Sequence, residues 1–349
     1  MNLTRMTRDQ ARDWFLSDDL IGLGIEADKA RRAYHPEGIA SYIIDRNINY
    51  TNFCTEYCTF CNFYRPMDSP EGYILPHEVI FQKIQETIDL GGTGVLMQGG
   101  LHSGLKIDYY EELCRAVKEK FGERIWLHFL SAPEILNIAQ ISGLSIRDTL
   151  ARLRDAGLQS IPGAGAEILD DEVRQRIARL KCNTGEWLEV HRTAHQLGIR
   201  TTATMMFGTG ETIEHRLNHL EHIRRLQEET GGFTAFIPWS FQREGTSLGR
   251  FVKQEATAVE FLKMLALSRL YLDNIVNIQT SWVTPGLKVC QMGLRFGGND
   301  VGSIMIEENV VSQAGARHHA TEEDLRRLIR DAGFVPKQRD TLYRTYFLN

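Results

Sequence analysis

The sequence has few prolines, no long apolar run and no cluster of basic residues. Only 9 of its 349 residues are Pro, and no Pro-, Gly- or Ser-rich linker divides it, so we expect a single domain. No apolar run approaches the roughly 18 residues that span a membrane, and the charged N-terminus lacks the apolar core of a signal peptide. Lys and Arg are scattered and the net charge is -5, which argues against nucleic-acid or anionic-membrane partners. We therefore expect a cytoplasmic protein with reduced cysteines that binds a small molecule.

Short β-branched or aromatic runs alternate with longer amphipathic patterns along the chain. The eight runs occupy residues 40–50, 94–100, 125–131, 160–168, 201–208, 233–241, 277–282 and 301–306. Eight strand-helix units predict an α/β protein with a (βα)8 TIM-type barrel, and an open parallel sheet with fewer strands is the alternative. Residues 1–35 are predicted to form helices before the barrel, 36–335 the barrel itself, and 336–349 a short C-terminal appendage.

Three of the six cysteines lie within eight positions, in the segment "NYTNFCTEYCTFCNFYRP". Cys54, Cys58 and Cys61 follow the first predicted strand, so they belong to the carboxyl end of the barrel, where such barrels carry their chemistry. A structural zinc site takes four ligands, and no second cysteine pair supplies them. A 4Fe-4S cluster held by three thiolates fits the count, because its fourth iron can then bind a substrate or cofactor. The other cysteines are isolated and are predicted to be small buried residues: Cys114, Cys182 and Cys290.

The spacing C-x3-C-x2-C, with Phe60 directly before the last cysteine, resembles the signature of the radical S-adenosylmethionine (SAM) superfamily. The resemblance implies that SAM chelates the open iron through its amino and carboxylate groups. It also implies that one electron from the cluster cleaves SAM to methionine and a 5'-deoxyadenosyl radical. In such enzymes the cofactor carries the difficult chemistry, while the protein orients and shields it.

Polar residues and glycines follow several of the predicted strands, and together they predict a polar pocket at the carboxyl end. They are Gly99, Gly100, Ser131, Glu134, Glu167, Gly208 and Glu211. The resemblance implies that the glycine pair contacts the SAM amino group, that Glu167 binds a ribose hydroxyl and that Ser131 binds the methionyl carboxylate. Two alternatives stay open: the glycine pair is a simple turn, and Glu167 caps the helix that starts near Asp170.

Histidines and aromatic residues offer further candidates. Five histidines have helical spacing and are predicted to be satisfied or solvated helix-face residues rather than metal ligands: His191, His195, His215, His219 and His222. Four residues near the later strand ends are predicted either to line a pocket for an aromatic substrate or to pack in the core: Trp239, Phe241, Gln242 and Trp282.

Longer segments carry a more specific resemblance, which runs from about residue 37 to the C-terminus. They include "GGTGVLMQGGLH", "GLQSIPGAGAEIL", "NIQTSWVTPGLKV", "GLRFGGNDVGS" and "EENVVSQAGA". These segments resemble the dehypoxanthine futalosine cyclase family of the menaquinone pathway. Aminofutalosine synthases and the deazaflavin synthases of coenzyme F420 assembly are the alternatives, and a noncatalytic iron-sulfur carrier or sensor is the alternative outside enzymes. One departure is that "GHVE" in the family reads Gly208-Thr209-Gly210-Glu211 here, so no role of that family histidine transfers.

The cyclase resemblance implies a ring closure within one molecule. The hydrogen at ribose C4' of dehypoxanthine futalosine is abstracted, and the carbon radical adds to the benzoate ring of the same molecule to give cyclic dehypoxanthine futalosine. A general base then accepts a proton, and Glu211 and Glu307 are the candidates. The resemblance also implies an electron donor such as a flavodoxin or ferredoxin.

Overall fold

The structure is a computed structural model that describes residues 5–345. Residues 1–4 of the predicted N-terminal helices and residues 346–349 of the predicted appendage lie outside this range. The strands are β1 (Ile39–Ile43), β2 (Asp45–Ile48), β3 (Gly94–Met97), β4 (Trp126–Phe129), β5 (Ser160–Ile161), β6 (Arg200–Phe207), β7 (Phe233–Ser240), β8 (Asn277–Ile278), β9 (Asp300–Ser303) and β10 (Val335–Gln338). The α-helices are α1 (Arg8–Leu16), α2 (Leu20–Tyr34), α3 (His77–Asp89), α4 (Ile107–Phe121), α5 (Ala132–Ser142), α6 (Ile146–Ala156), α7 (Asp171–Ile177), α8 (Thr184–Gln196), α9 (Ile213–Thr230), α10 (Ala258–Tyr271), α11 (Leu287–Gly293) and α12 (Glu322–Asp331).

Strands β2 to β8 form a seven-stranded sheet in chain order, and every neighbouring pair in it is parallel. Each of the eight predicted runs contains at least one of these strands or β9, and the α/β class is confirmed. The ring is less regular than predicted, however, because β9 pairs with β1 and not with β8 along its length. A single parallel bridge between Gln279 and Asp300 connects the two sheets.

The smaller sheet has the order β10-β1-β9 and occupies the gap between the first and last strands of the larger one. Strand β10 comes from the segment that was predicted to be a C-terminal appendage, and it pairs in parallel with β1 from Ile39 opposite Val335 to Tyr42 opposite Gln338. Two β-branched or aromatic residues, Phe334 and Val335, are too weak a signal to predict a strand that forms by pairing with residues 300 positions away.

The chain after β10 enters the amino end of the barrel. Arg339 forms a buried ion pair with Asp300, with 2.5 Å between Nε and Oδ2, and its guanidinium lies 3.7 Å from the centre of the Tyr343 ring. The Ser41 hydroxyl donates to Asp300 Oδ2 at 2.6 Å. This end of the barrel is therefore filled by side chains that bind one another.

The two N-terminal helices pack against the outside of the barrel. Helix α1 starts at a capping box formed by Thr7 and Gln10. Arg8 of α1 pairs with Glu214 of α9 at 2.7 Å, and Lys263 of α10 donates to the Ser17 carbonyl at 2.6 Å. No helix within residues 5–345 is long and apolar enough to cross a membrane.

Candidate active site

A cavity of about 370 Å³ opens at the carboxyl ends of the strands. It is lined by eight of the residues predicted to form the site: Cys54, Cys58, Phe60, Cys61, Gly99, Gly100, Ser131 and Glu167. These residues come from four separate strand-loop connections and are brought together because parallel strands place all their carboxyl ends on one side. Gly208, Glu211 and Glu307 are not among the lining residues.

The cysteines lie on a short loop, residues 54–61, that we call the Cys loop. Backbone hydrogen bonds fix both of its ends, since Cys54 N donates to Arg65 O at 3.0 Å and Thr59 N donates to Ile177 O at 2.9 Å. Cys54 and Cys58 are buried, and Cys61 is partly exposed. Burial raises the pKa of Cys58 to about 12, Lys181 opposes this rise, and the neighbouring thiols Cys61 and Cys54 add to it. Three thiols on one short loop, two of them buried, are a donor set whose chemistry suits a soft metal centre such as an iron-sulfur cluster.

The two glycines after β3 allow the backbone to pass close to the Cys loop. A Cβ at Gly100 would lie 2.2 Å from the carbonyl oxygen of Phe53 and 2.7 Å from the Cβ of Cys54. A Cβ at Gly99 would lie 2.7 Å from the Tyr50 ring. Any side chain at Gly100 would therefore displace the loop. The packing of the loop requires glycine at this position, in addition to any contact that the glycine makes with a ligand.

Glu134 connects the glycine pair to Ser131. Its Oε1 accepts hydrogen bonds from Gly99 N at 3.0 Å and Tyr50 Oη at 2.7 Å. Its Oε2 accepts from Ser131 N at 2.7 Å and from the Ser131 hydroxyl at 2.6 Å. Because the Ser131 hydroxyl already donates to Glu134, it offers the cavity an acceptor. That chemistry suits an amino or hydroxyl group of a ligand better than the carboxylate that the resemblance implied.

Glu167 lies in the connection between β5 and α7, and it forms an ion pair at the cavity wall. Its Oε1 lies 2.7 Å from Nζ of Lys181, and its own backbone has the unusual positive φ of 43°. Burial alone would lower the pKa of Lys181, but Glu167 and Cys58 raise it above its ordinary value, so this lysine stays charged. Lys181 Nζ also lies 5.4 Å from the centre of the Phe60 ring. The alternative that Glu167 caps the next helix is not what the structure shows, since Asp170 caps α7.

Comparison with known proteins identifies the family. A family model described as the radical SAM superfamily matches residues 48–223, the region that contains the Cys loop and β3 to β6. The chain belongs to the radical SAM superfamily. A second family model, described as the CofH/MqnC C-terminal region, matches residues 230–348.

Curated radical SAM relatives align with almost the whole chain. The cyclic dehypoxanthine futalosine synthase of Halalkalibacterium halodurans is 47% identical over 98% of this chain and 92% of its own length. The protein of the same name from Streptomyces coelicolor is 45% identical over 97% and 85%. The 5-amino-6-(D-ribitylamino)uracil--L-tyrosine 4-hydroxyphenyl transferase of Methanothermobacter thermautotrophicus is 43% identical over 93% and 90%.

Among solved structures, methylornithine synthase is similar with a TM-score of 0.72 at 21% identity, covering 95% of this chain and 94% of that one. The maturase HydG from Carboxydothermus hydrogenoformans is similar with a TM-score of 0.74 at 18% identity, covering 97% and 78%. At these identities the likeness shows that this radical SAM chain shares their fold.

Gly208 and Glu211 form a turn beside the radical SAM cavity. Gly208 N donates to Glu211 Oε1 at 2.8 Å, and Arg216 Nη2 lies 2.6 Å from the same oxygen. Burial alone would raise the pKa of Glu211, but Arg216 and the hydrogen bond from Gly208 lower it below its ordinary value. A fully paired carboxylate outside the cavity has the geometry of a structural residue, so the prediction that Glu211 is a general base has no support here.

Glu307 is the second predicted base, and it also faces away from the main cavity. It lines a neighbouring cavity of about 320 Å³ and lies 2.6 Å from Nζ of Lys83. The adjacent Glu308 does line the main cavity, but its carboxylate accepts hydrogen bonds from three backbone N–H groups at 2.6 to 2.8 Å. Glu56 lines the main cavity as well, and its Oε2 is buried with no hydrogen-bond partner among residues 5–345.

Several features of the cavity were not predicted from the sequence: the presence of Lys181, Glu56 and Glu308 in its lining, and the central role of Glu134. Only Glu134 had a detectable signal, because Ser131 and Glu134 have the spacing of a capping box. Lys181 follows a seven-residue helix in a connection without a motif, and Glu56 and Glu308 have no distinguishing neighbours in sequence.

The histidine and aromatic candidates divide between the core and the cavity. His191 and His219 are buried in the outer layer, where the Nδ1 of His219 accepts from Leu169 N at 2.9 Å and burial lowers its pKa to about 3. Trp239 lines the cavity, whereas Phe241 and Trp282 are buried. A buried imidazole with so low a pKa is neutral, as expected for a packed helix-face residue.

Proposed function

We propose that this radical SAM enzyme converts dehypoxanthine futalosine to cyclic dehypoxanthine futalosine in menaquinone biosynthesis. The observation that carries the proposal is the likeness, along almost the whole chain, to two curated cyclic dehypoxanthine futalosine synthases. The three cysteines line a largely apolar cavity, and this supports the proposal, because a radical reaction needs a site that keeps water and other reactants away.

Cys54, Cys58 and Cys61 are proposed to hold a 4Fe-4S cluster with one iron left for SAM. When bound, these two groups supply the one-electron cleavage that begins radical chemistry. The support is the donor set itself: the three thiols belong to one short loop, and all three line the cavity. The electron donor is proposed to be a flavodoxin or ferredoxin.

The residues around the Cys loop are proposed to bind SAM through its charged and polar groups. Lys181 provides a cation for a carboxylate, and Glu167 provides an acceptor for an amino group or a ribose hydroxyl. The carbonyl groups near Gly99 and the Ser131 hydroxyl provide further acceptors on the same side. The Phe60 ring lines the same cavity, with the Lys181 ammonium 5.4 Å from its centre.

The proposed reaction removes the hydrogen at ribose C4' and joins that carbon to the benzoate ring of the same molecule. Loss of one electron and one proton then restores the aromatic ring. An apolar part of the cavity wall suits the benzoate ring and holds the two reacting carbons together in a water-poor space: Leu96, Ile237, Trp239, Val283, Met305 and Val310. Glu56 lines the cavity and is better placed to accept the proton than Glu211 or Glu307, which do not line it. Glu308 also lines the cavity, but backbone N–H groups already bind its carboxylate.

We also propose that the whole chain folds as one domain. The pairing of β10 with β1 supports this arrangement, because it ties the last part of the chain to the first strand. The filling of the amino end by Arg339 and Tyr343 supports it further, since the region would be incomplete without residues from the C-terminal segment.

A specific second candidate is the reaction named for the archaeal relatives, which join a tyrosine-derived hydroxyphenyl group to 5-amino-6-(D-ribitylamino)uracil. Their identity to this chain is only a few per cent lower than that of the cyclic dehypoxanthine futalosine synthases. The printed name of these relatives also describes a substrate with a sugar-derived chain. Only the substrates separate the two.

The test is an anaerobic incubation of the reconstituted enzyme with SAM and a reductant, followed by mass analysis. One reaction contains dehypoxanthine futalosine, and a parallel reaction contains tyrosine and 5-amino-6-(D-ribitylamino)uracil. We expect a product two hydrogens lighter than dehypoxanthine futalosine in the first reaction and no product in the second. The reverse result would replace the cyclase proposal with the transferase activity.

A further inference from the structure

Asn47 lies on the inner wall of the cavity, and no hydrogen bond joins its side chain to another of the residues that the structure describes. Its Oδ1 is buried and has no partner among residues 5–345, and the residue as a whole is 8% exposed. Buried polar atoms in folded proteins are nearly always hydrogen-bonded, because leaving one unpaired destabilises the protein. An unpaired amide that faces a cavity is therefore well placed to be completed by a ligand.

The strand register fixes which side chains surround this amide. Asn47 of β2 lies opposite Leu96 of β3, and the alternation of side chains puts Asn49 and Gln98 on the same inward faces. All four residues line the cavity. Asn49 is already bound, because its Nδ2 donates to the Gln98 carbonyl at 3.1 Å and its Oδ1 accepts from Asn309 at 3.3 Å. Asn47 is thus the asparagine of this wall that remains available.

Depth in the cavity separates Asn47 from the residues proposed to bind SAM. Asn47 precedes Asn49 by two positions, which places it about 7 Å further along β2 from the Cys loop. The ligand group that reaches it is therefore the one furthest from the cysteines, which is part of the substrate and not of the cofactor.

The charge of the cavity indicates what kind of group this is. Among the described residues that line the cavity, only Lys181 carries a cationic side chain, and it is paired with Glu167. The wall around Asn47 consists of amides and apolar side chains, namely Leu96, Gln98 and Asn49. Such a wall suits a neutral group that both donates and accepts hydrogen bonds, as a pair of hydroxyls does.

We propose that Asn47 binds a hydroxyl group of the sugar portion of the substrate and so fixes the position of the sugar carbon that reacts. This inference rests on the proposed function, which supplies a ribose-bearing substrate. The amide accepts a hydrogen bond from one hydroxyl through Oδ1 and donates one to a neighbouring oxygen through Nδ2. Fixing the sugar in this way presents one particular C–H bond to the reacting centre, which is what a selective hydrogen abstraction requires.

The test measures binding as well as turnover. In Asn47→Leu the side chain keeps nearly the same size but loses both polar atoms. Isothermal titration of the cluster-containing enzyme should show that the Kd for dehypoxanthine futalosine rises about ten-fold or more, while the Kd for SAM is unchanged. The ratio of 5'-deoxyadenosine to cyclised product should also rise, because a poorly held sugar uncouples SAM cleavage from cyclisation.

Asn274→Leu is the matched control. The Oδ1 of Asn274 is also buried without a partner among the described residues, but Asn274 lies between α10 and β8 and does not line the cavity. Its substitution should leave both Kd values unchanged. If Asn47→Leu does not fold, as judged by thermal unfolding, Asn47→Ala removes the amide without adding bulk and should weaken substrate binding to a similar extent.

Two results would overturn the proposal. One is a folded Asn47 variant that binds the substrate within two-fold of the wild type, and the other is an equal loss of SAM and substrate binding. Failure of the proposed function has a different signature, since the wild type itself would then not bind dehypoxanthine futalosine. In that case the same variants are titrated with 5-amino-6-(D-ribitylamino)uracil, which is also rich in hydroxyls. A wild type that binds neither compound contradicts the hydroxyl-binding role of Asn47.

Discussion

The two ends of the barrel differ in whether their buried polar groups have partners within the protein. At the amino end, Arg339 and Asp300 pair with each other, and Ser41 and Tyr343 pack against them. At the carboxyl end, Asn47 and Glu56 each present a buried oxygen to the cavity that has no partner within residues 5–345. The difference teaches that the charged groups at the amino end are paired within the protein, whereas these two oxygens at the carboxyl end are left for ligands. Substitutions at the two ends should therefore change different observables.

The largest effect is expected from the cysteines at the carboxyl end. Ala at Cys54, Cys58 or Cys61 removes one of the three thiolates and should abolish both the brown absorbance of the reconstituted cluster and all activity. Absorption spectra and iron analysis after anaerobic reconstitution provide the measurement.

The control for the cysteine prediction replaces the three cysteines that do not line the cavity, Cys114, Cys182 and Cys290, with Ala in one variant. It should keep its cluster. Loss of the cluster from this triple variant would mean that one of these cysteines is a fourth ligand.

The second prediction concerns the filled amino end. Asp300→Ala leaves the buried Arg339 guanidinium without its partner and should lower the free energy of unfolding by about 3–5 kcal/mol. Asp331→Ala breaks the exposed pair with Arg327 and should cost less than about 1 kcal/mol. Urea unfolding of both variants gives the comparison. Equal losses would show that the amino end is not the stabilising part of the barrel.

The third prediction concerns the close approach of β3 to the Cys loop. In Gly100→Ala the added methyl group meets the Phe53 carbonyl and the Cys54 side chain, so the loop must move. Cluster content per chain should fall several-fold, and the unfolding temperature should change little, since the cavity end contributes less to stability. Gly104→Ala, whose new Cβ would lie 3.3 Å from a flexible His102 side chain, should retain a normal cluster content. A normal cluster in Gly100→Ala would show that the loop tolerates the methyl group.

The smallest expected effect is on the pH dependence of stability at the amino end. Burial raises the pKa of Asp45 to about 6, although the hydrogen bond from Ser303 opposes this. The folded state therefore holds this proton up to a higher pH than the unfolded state does. Protonated Asp45 therefore stabilises the folded state below pH 4. As the pH rises to 6 this contribution is lost, and the free energy of unfolding decreases by about 2–3 kcal/mol. The Asp45→Asn variant lacks this titrating group, so its free energy of unfolding should increase relative to that of the wild type between pH 4 and pH 6. Urea unfolding of both proteins at pH 4 and at pH 6 provides the measurement. A difference that does not depend on pH would contradict the raised pKa.

The strands and the Cys loop could be predicted from the sequence because their signals are local. The runs of β-branched residues mark the strands, and the spacing of Cys54, Cys58 and Cys61 marks the Cys loop. The eight-strand count also placed Gly99, Ser131 and Glu167 at the correct end, since the carboxyl ends of parallel strands meet on one side.

The remaining features depend on contacts that only the folded chain makes. Lys181 forms an ion pair with Glu167, which is 14 positions away in the sequence, and β10 pairs with β1 across about 300 positions. Asn47 is one asparagine among several, and only its missing partner in the folded state distinguishes it from Asn49. The ion pair between Glu211 and Arg216, five residues later, is likewise visible only in the folded chain, and the role of Glu211 as a base stays a prediction.

The central claim is that the carboxyl end directs hydrogen abstraction to one carbon of the substrate's sugar and closes a ring within that molecule. Dehypoxanthine futalosine that carries deuterium only at ribose C4' tests it directly, with mass analysis of 5'-deoxyadenosine and of the product. The account predicts that the deuterium appears in 5'-deoxyadenosine and that the product has lost that deuterium and one further hydrogen. Unlabelled 5'-deoxyadenosine, or a product that contains adenine, would contradict it.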